Sequence, residues 1–261
     1  MKIITSRDNT TFKELRGLAQ DAREIRKQGR TLLDGPHLVD VYRQRMGLPR
    51  ALVISESGLQ NDEVKMLRER HGRLEPLIFK DSLFKELSPT LSPVGVLALI
   101  DIPQQASPLM TSDWLCLEGL QDPGNVGTMF RSAAAFGIRH VLLSPTCVGA
   151  WTPKVLRAAQ GAHFSLAIHE RMDLQQALIG FPGERLATVV SQAEPLYDVK
   201  LHGPVAWVIG NEGQGISSQL AGTCDRRVTI PITSDCESLN AAVAASICLA
   251  EMMRQRTQHD H

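Results

Sequence analysis

Val208-Ile209-Gly210-Asn211-Glu212-Gly213-Gln214-Gly215-Ile216 is an apolar run that ends abruptly in a glycine-rich polar turn. Three glycines in six residues, Gly210, Gly213 and Gly215, imply a backbone that bends tightly and lets a ligand approach closely. The apolar run reads as a strand over residues 205–210, so the polar residues fall at its carboxyl end. Two other stretches repeat the arrangement. Leu115-Cys116-Leu117-Glu118 leads through Asp122-Pro123-Gly124 into Asn125-Val126-Gly127-Thr128-Met129-Phe130-Arg131. Val228-Thr229-Ile230-Pro231-Ile232 is followed shortly by Glu237-Ser238-Leu239-Asn240. In open α/β sheets ligands bind where strands give way to loops and helices.

The surrounding pattern extends this reading. Strands are expected at 113–119, 140–144, 164–168, 186–191, 205–210 and 227–232, with helices near 125–137, 153–160, 173–180, 217–222 and 238–256. That alternation predicts a parallel sheet with helices on both faces. The first hundred residues alternate in the same way and predict a smaller α/β domain. It starts with a basic amphipathic helix over 9–30, then strands at 31–33, 51–54, 76–79 and 94–100 separated by helices at 37–46, 62–71 and 81–87. A polar, proline-containing stretch follows, so the division reads 1–100, a linker at 101–112, and 113–261.

Each motif is legible in simple physical terms. Asn125 is expected to cap the helix it opens, its side chain satisfying a free backbone N–H. The small residues Ala133, Ala134, Ala135 and Gly137 suit close helix packing. Gly210 to Gly215 contain neither the G-x-G-x-x-G dinucleotide fingerprint nor the lysine of a P-loop. Ser238 and Asn240 are expected to present side chains at the start of the last long helix. The stripe Leu239, Val243, Ile247, Ala250, Met253 on that helix reads as core packing and as a candidate dimer face.

Composition narrows the class further. The 261 residues carry a formal net charge of zero, yet residues 1–50 hold eleven Lys/Arg against six Asp/Glu. That local excess suits a phosphate-backbone footprint, with Arg26 and Arg30 as candidate contacts, and equally a solvated mixed-charge helix. The five cysteines form no C-x-x-C pair, so neither a disulfide framework nor a zinc site is indicated and a reducing compartment is expected. The N-terminal residues lack a signal-peptide apolar core, and the apolar run at 94–100 is far too short to span a bilayer. A cytoplasmic protein without membrane segments is the expectation.

The three motifs, in this order and at these separations, resemble those of the SpoU (TrmH-like) branch of the SPOUT methyltransferases over residues 113 to about 255. Members transfer a methyl group from S-adenosylmethionine to a ribose 2′-hydroxyl of ribosomal or transfer RNA. Residues 5–100, around Leu33-Asp34-Gly35-Pro36-His37-Leu38-Val39, resemble more weakly the family's RNA-substrate-binding domain, which has a ribosomal-protein-L30e-like fold. The resemblance implies a deep trefoil knot and a homodimer with sites near the subunit interface, and because a sulfonium methyl is intrinsically electrophilic no metal is expected. It assigns catalytic roles to Asn125, Arg131, Glu212, Ser238 and Asn240. It places the cofactor against Gly210, Asn211, Gly213, Ile230, Ile232, Leu239 and Asn240. Lys154, Arg157 and Ala158-Ala159-Gln160-Gly161-Ala162 resemble a basic stretch that faces RNA in relatives.

A permanently charged guanidinium is a poor proton acceptor, so Arg131 is expected to fix the target phosphate and stabilise alkoxide character. Glu212 and Asn125 are then expected to hold Arg131 and the nucleotide, with Ser238 and Asn240 organising the site beside the cofactor. The chain departs from the family pattern at Ile232, usually Met, at Ser234, usually Gly, and at Ala242, often Ser. None of these removes a catalytic group. Two other readings stand beside this one: a SPOUT methyltransferase acting on an RNA base, and a non-catalytic RNA-binding factor. An NAD-dependent oxidoreductase is set aside for want of the glycine fingerprint.

Overall fold

The structure is a computed structural model that describes residues 3–72 and 74–258. In chain order the elements begin β1 (Ile3–Ile4), α1 (Thr10–Gln20), α2 (Ala22–Gln28), β2 (Arg30–Asp34), α3 (Pro36–Met46), β3 (Ala51–Ser55), α4 (Asp62–Arg70) and β4 (Leu77–Phe79). There follow α5 (Asp81–Leu87), β5 (Val96–Asp101), β6 (Trp114–Leu117), α6 (Pro123–Ala135), β7 (His140–Leu143), α7 (Pro153–Ala159) and β8 (Ala167–His169). The remainder are α8 (Leu174–Ile179), β9 (Glu184–Thr188), β10 (Glu194–Pro195), β11 (Val205–Ile209), α9 (Ser218–Ala221), β12 (Arg226–Thr229) and α10 (Ala241–Thr257). The chain divides into two compact units, Met1–Gln104 with Trp151–Phe164, and Gln105–Ala150 with Ser165–His261.

The first unit is built on a five-stranded mixed sheet in the order β1-β4-β3-β5-β2. β1, β4 and β3 run parallel, and β5 runs antiparallel to both β3 and β2. The single helix expected over 9–30 is two helices. Asp21 is extended, with φ −127° and ψ 113°, and its carboxylate accepts from the Arg23 N–H at 2.7 Å. A short acidic side chain that bonds its own neighbouring backbone ends one helix and caps the next. β1, only two residues long, is too short to show any alternation and was not anticipated. β5 starts at Val96, two residues late, because Gly95 turns at φ +101° against Gly58. A Cβ at Gly58 would lie 2.4 Å from the Gly95 carbonyl oxygen. Helix α7 belongs to this unit, and the Thr31 hydroxyl on edge strand β2 donates to the carbonyl of Trp151 at 2.6 Å just before it.

The second unit carries a seven-stranded sheet in the order β10-β12-β9-β11-β6-β7-β8, every pair parallel. β6 and β11 are buried along their whole length, as strands covered on both faces must be. On one face Trp114, Cys116, Ala206 and Val208 meet Leu174 and Leu178 of α8 and Leu220 of α9. On the other, Trp207 donates its indole N–H to Met252 of α10 at 3.4 Å. α10 in turn lies on α6, where the Ser132 and Ser246 hydroxyls are 2.6 Å apart.

Several boundaries moved from expectation. The strand expected at 164–168 is Ala167–His169, preceded by a turn of 3₁₀ helix at Ala162–Ser165. The strand expected over 227–232 stops at Thr229, before Pro231, which has no N–H to continue a ladder. The stripe read as core on α10 is not core. Val243 and Met253 are 47% and 41% exposed, and the buried positions are Ala242, Ala245, Cys248, Leu249, Glu251 and Met252. Among the described residues no helix is long and apolar enough to cross a membrane.

Candidate active site

β6 and β11 are neighbours, but β7 and β8 continue from β6 while β9, β12 and β10 lie beyond β11. The sheet therefore reverses its order of connection between β6 and β11, and in open α/β sheets ligands bind at the carboxyl ends of strands beside such a reversal. The three sequence motifs follow β6, β11 and β12, so all three reach this end of the sheet.

The loop after β11 is closed on itself. Asn211 N–H donates to Gly215 O at 3.0 Å, and Gly215 N–H donates back to Asn211 O at 2.8 Å. The Asn211 side-chain oxygen accepts from the N–H of Gly213 (2.9 Å) and Gln214 (3.1 Å), while its amide donates to Gly119 O at 2.8 Å. Asn211 thus shapes the loop with its side chain and offers a ligand little beyond its backbone. A Cβ on Gly210 would meet the Gly215 carbonyl carbon at 2.2 Å, which is why that position has no side chain. At the far end of the loop, Glu118 accepts from both the N–H and the hydroxyl of Ser217 at 2.7 Å.

Asn125 is not the cap of α6. That role falls to Asp122, whose carboxylate accepts from the Asn125 N–H at 2.8 Å. The rank order of capping residues puts Asp and Asn level, so local preference could not choose between them. Nor does Ser238 open α10, which starts at Ala241 behind the cap Asn240. The Asn240 oxygen accepts from the N–H of Ala242 (2.9 Å) and Val243 (3.3 Å). Its amide nitrogen must then be the outward donor, and it donates to Asn125 Oδ1 at 3.0 Å. That fixes Asn125 Nδ2 as a donor too, and it reaches Glu212 Oε1 at 2.7 Å. A helix cap, an amide and a carboxylate from three separate motifs form one directed chain.

Arg131 stands apart from that chain. Glu212 and Asn125 bond to each other, and neither holds Arg131 as expected. Six residues along a helix is about 600° of rotation, so Arg131 projects roughly 120° away from Asn125. Its side chain is exposed, and among the described residues it has no hydrogen bond or ion pair.

A cavity of about 670 Å³ lies beside the chain, within the range of small-molecule sites. Its lining includes the expected Gly210, Asn211, Glu212, Gly213, Ile230, Ile232, Ser238, Leu239 and Asn240. Asn125 and Arg131 do not line it. Thr188, Val189 and Val190 at the end of β9 do, and carry no polar motif to flag them. Their position beside β11 was the signal, and only strand order reveals it. Backbone, apolar side chains and a few convergent polar groups suit a nucleoside with an apolar or cationic appendage. Burial pushes the Cys224 thiol up to about 11 and Cys248 to about 12.

The four candidate RNA contacts, Arg26, Arg30, Lys154 and Arg157, all lie in the first unit. Arg26 and Lys154 are exposed. Arg30 is paired with Glu14 at 3.1 Å and Asp101 at 3.6 Å, and Arg157 lies 3.7 Å from the buried Asp34 carboxylate.

Residues 114–250 match the model of the SpoU rRNA Methylase family. An uncharacterized tRNA/rRNA methyltransferase of Synechocystis is 31% identical, covering 97% of this chain and 94% of that protein. The 23S rRNA (guanosine(2553)-2′-O)-methyltransferase RlmP of Bacillus subtilis is 28% identical, covering 95% and 97%. Among solved structures, the SpoU methyltransferase AviRb from Streptomyces viridochromogenes, in complex with the cofactor AdoMet, superposes with a TM-score of 0.84. It is 25% identical and the match covers 95% of this chain and 98% of that one.

Proposed function

Because the chain belongs to the SpoU rRNA methylase family, we propose that it transfers a methyl group from S-adenosylmethionine to a ribose 2′-hydroxyl of ribosomal or transfer RNA. The observation that carries the site assignment is the Glu212–Asn125–Asn240 chain set against a cavity walled by the Gly210–Gly215 loop. The cavity fits the cofactor. The glycine cradle admits a nucleoside to its backbone, while Ile230, Ile232 and Leu239 offer apolar contact. When bound, S-adenosylmethionine supplies an electrophilic sulfonium methyl, so the reaction calls for no metal.

The chain's own groups then have distinct tasks. Glu212 Oε1 is held by Asn125, and its Oε2 has no hydrogen-bond partner among the described residues. That oxygen is available to accept the ribose hydroxyl proton or to orient the sugar. Ser238, exposed and lining the same cavity, offers a hydroxyl there. Arg131, uncommitted and permanently charged, presents its guanidinium to the target phosphate and to developing alkoxide charge.

The further architecture follows the family. The second unit carries a deep trefoil knot, a reading supported by α10 lying on α6 with its cap bonded to Asn125. The protein works as a homodimer through the face of α10 that exposes Val243 and Met253, and Thr128, Arg131 and Ala135 share one exposed face of the adjoining α6. The first unit, a mixed sheet with helices, is the L30e-like RNA-binding part, and Arg26, Arg30, Lys154 and Arg157 contact RNA there. The domain division is 1–100, linker 101–112 and 113–261, with residues 151–164 serving the RNA-binding part. The protein acts in the cytoplasm.

Transfer of labelled methyl from S-adenosylmethionine to unmodified total rRNA and tRNA, followed by nuclease digestion and nucleoside analysis, tests the reading. A 2′-O-methyl nucleoside is expected. Label on a base, or bound cofactor with no label on any RNA, overturns it.

A further inference from the structure

The glycine-rich loop is fastened at both ends to the two residues that follow β6, and only one fastening comes from the loop's own motif. Asn211 ties the start of the loop to the Gly119 carbonyl at 2.8 Å. Glu118 ties the other end, with one carboxylate oxygen on the Ser217 N–H and the other on its hydroxyl, each at 2.7 Å. The Glu118 N–H itself donates to Ile209 O at 2.9 Å, so this carboxylate is anchored level with the end of β11. The Ser217 hydroxyl also accepts from the Leu220 N–H at 3.2 Å and starts α9. Immediately before Ser217 stand Gly215 and Ile216, both walls of the cavity.

We propose that Glu118 is a positioning residue for cofactor binding, its carboxylate gripping Ser217 to hold loop 210–217 in the shape that walls the cavity. This rests on the reading of that cavity as the S-adenosylmethionine site. Within the loop, the bonds from Asn211 to Gly213, Gln214 and Gly215 close the tip, and the stretch that returns past Gly215 into α9 is the part Glu118 holds. Gly213 and Gly215 bring no side chains, and Gly215 sits at φ +69° with open space around it. A helix of four residues cannot hold itself in place. Two charge-assisted hydrogen bonds to one residue supply both the hold and the direction. Without them the loop samples other shapes, and the cofactor must select the competent one, which weakens apparent binding and leaves chemistry in the filled site largely intact.

The test uses the full chain with Glu118→Gln, which keeps the side chain's shape and one acceptor but removes the charge. Calorimetric titration with S-adenosylhomocysteine is expected to show binding roughly tenfold weaker. The cofactor KM should rise with it, kcat at saturating cofactor should fall far less, and amide exchange should quicken in 210–217 alone. Ser217→Ala, which removes one of the two donors, should do the same to a smaller degree, and it stands in if Glu118→Gln does not fold. Wild-type affinity in these variants, or exchange raised evenly across the second unit, overturns the proposal. Ile230→Trp, which fills the cavity, separates the two readings. If it binds S-adenosylhomocysteine as the wild type does, the cavity assignment fails first and takes this proposal with it.

Discussion

Asn125 donates to Glu212 Oε1 across 2.7 Å, joining residues 87 positions apart in the chain. The bond's direction is imposed from outside the pair, because Asn240 must use its oxygen to cap α10 and so turns its amide nitrogen on Asn125. Removing the middle of this chain is informative. Asn125→Ala leaves Glu212 unoriented but keeps both helix caps. Methyl transfer should fall roughly a hundredfold or more, as when one oriented polar group is lost from a reacting site. Cofactor affinity and melting temperature should hardly change. Asn240→Ala should lose activity and also about 1 kcal/mol of stability, the usual worth of a cap. Equal destabilisation by the two variants would remove Asn125 from the reaction and make it structural.

The Arg131 side chain is exposed and bonded to nothing among the described residues, so it contributes little to folding. Arg131→Ala should change stability by no more than about 0.5 kcal/mol, retain S-adenosylhomocysteine binding, and abolish transfer. Arg131→Lys should recover only part of the activity, since a lysine keeps the charge without the planar fork. Loss of cofactor binding in either variant would show that the side chain supports the cavity instead.

Gly210 is the position where the loop can least accept a side chain, since a Cβ there would lie 2.2 Å from one backbone atom of Gly215 and 2.3 Å from the Ile216 nitrogen. Gly210→Ala should destabilise the protein by about 1–3 kcal/mol through overpacking. The displaced Gly215–Ile216 wall should also weaken cofactor binding. Thermal melting and calorimetry on the same sample check both, and an unaltered binding constant would place the cofactor elsewhere.

His140 and His169 form a buried stacked pair, with Nδ1 of the first 3.2 Å from Nε2 of the second, and the Leu109 N–H donates to His140 Nε2 at 3.3 Å. Burial, with the neighbouring His140 adding to it, holds His169 down to about 4 from an ordinary 6.5. A base depressed in the folded state contributes stability above its unfolded value and loses it as the pH falls toward the folded one. The melting temperature should therefore decline between about pH 6.5 and 4, and His169→Gln should flatten that decline. An unchanged slope in the variant would assign the acid sensitivity to other groups.

Val243 and Met253 are exposed apolar residues on a helix that is otherwise well packed. If α10 supplies the dimer contact, Val243→Glu with Met253→Glu should shift the protein to monomer in sedimentation velocity. Transfer should fall with the dimer population while each monomer stays folded. A variant that remains dimeric would move the interface to another face.

Much of the second unit is legible from one sequence because a fully buried parallel strand is a continuous apolar run, and Val205–Ile209 and Trp114–Leu117 are such runs. The cavity-lining residues Gly210, Ile230 and Leu239 could be named because the strand-end motifs that hold them resemble those of a known family. The caps could not. Asp122 and Asn125 are both good capping residues three positions apart, and the choice depends on the Pro123 turn and on what each side chain meets. Asp21 inside an amphipathic pattern is equally ambiguous, being a tolerated surface residue or a break. The α10 stripe shows that one helix face is apolar, and periodicity says nothing of whether a core or a partner covers it.

The sequence by itself determined the fold class, the three strand-end motifs and the chemistry they resemble, because hydrophobic periodicity and glycine placement act over a few residues. Tertiary structure alone decided which polar groups meet. Asn240 and Asn125 are 115 positions apart, and their bond exists only because β6, β11 and β12 are carried to one end of a sheet whose order is not that of the chain. The same is true of Glu118 and Ser217, 99 positions apart. Such pairings are fixed by strand order and helix packing, long-range contacts whose partners no local pattern names.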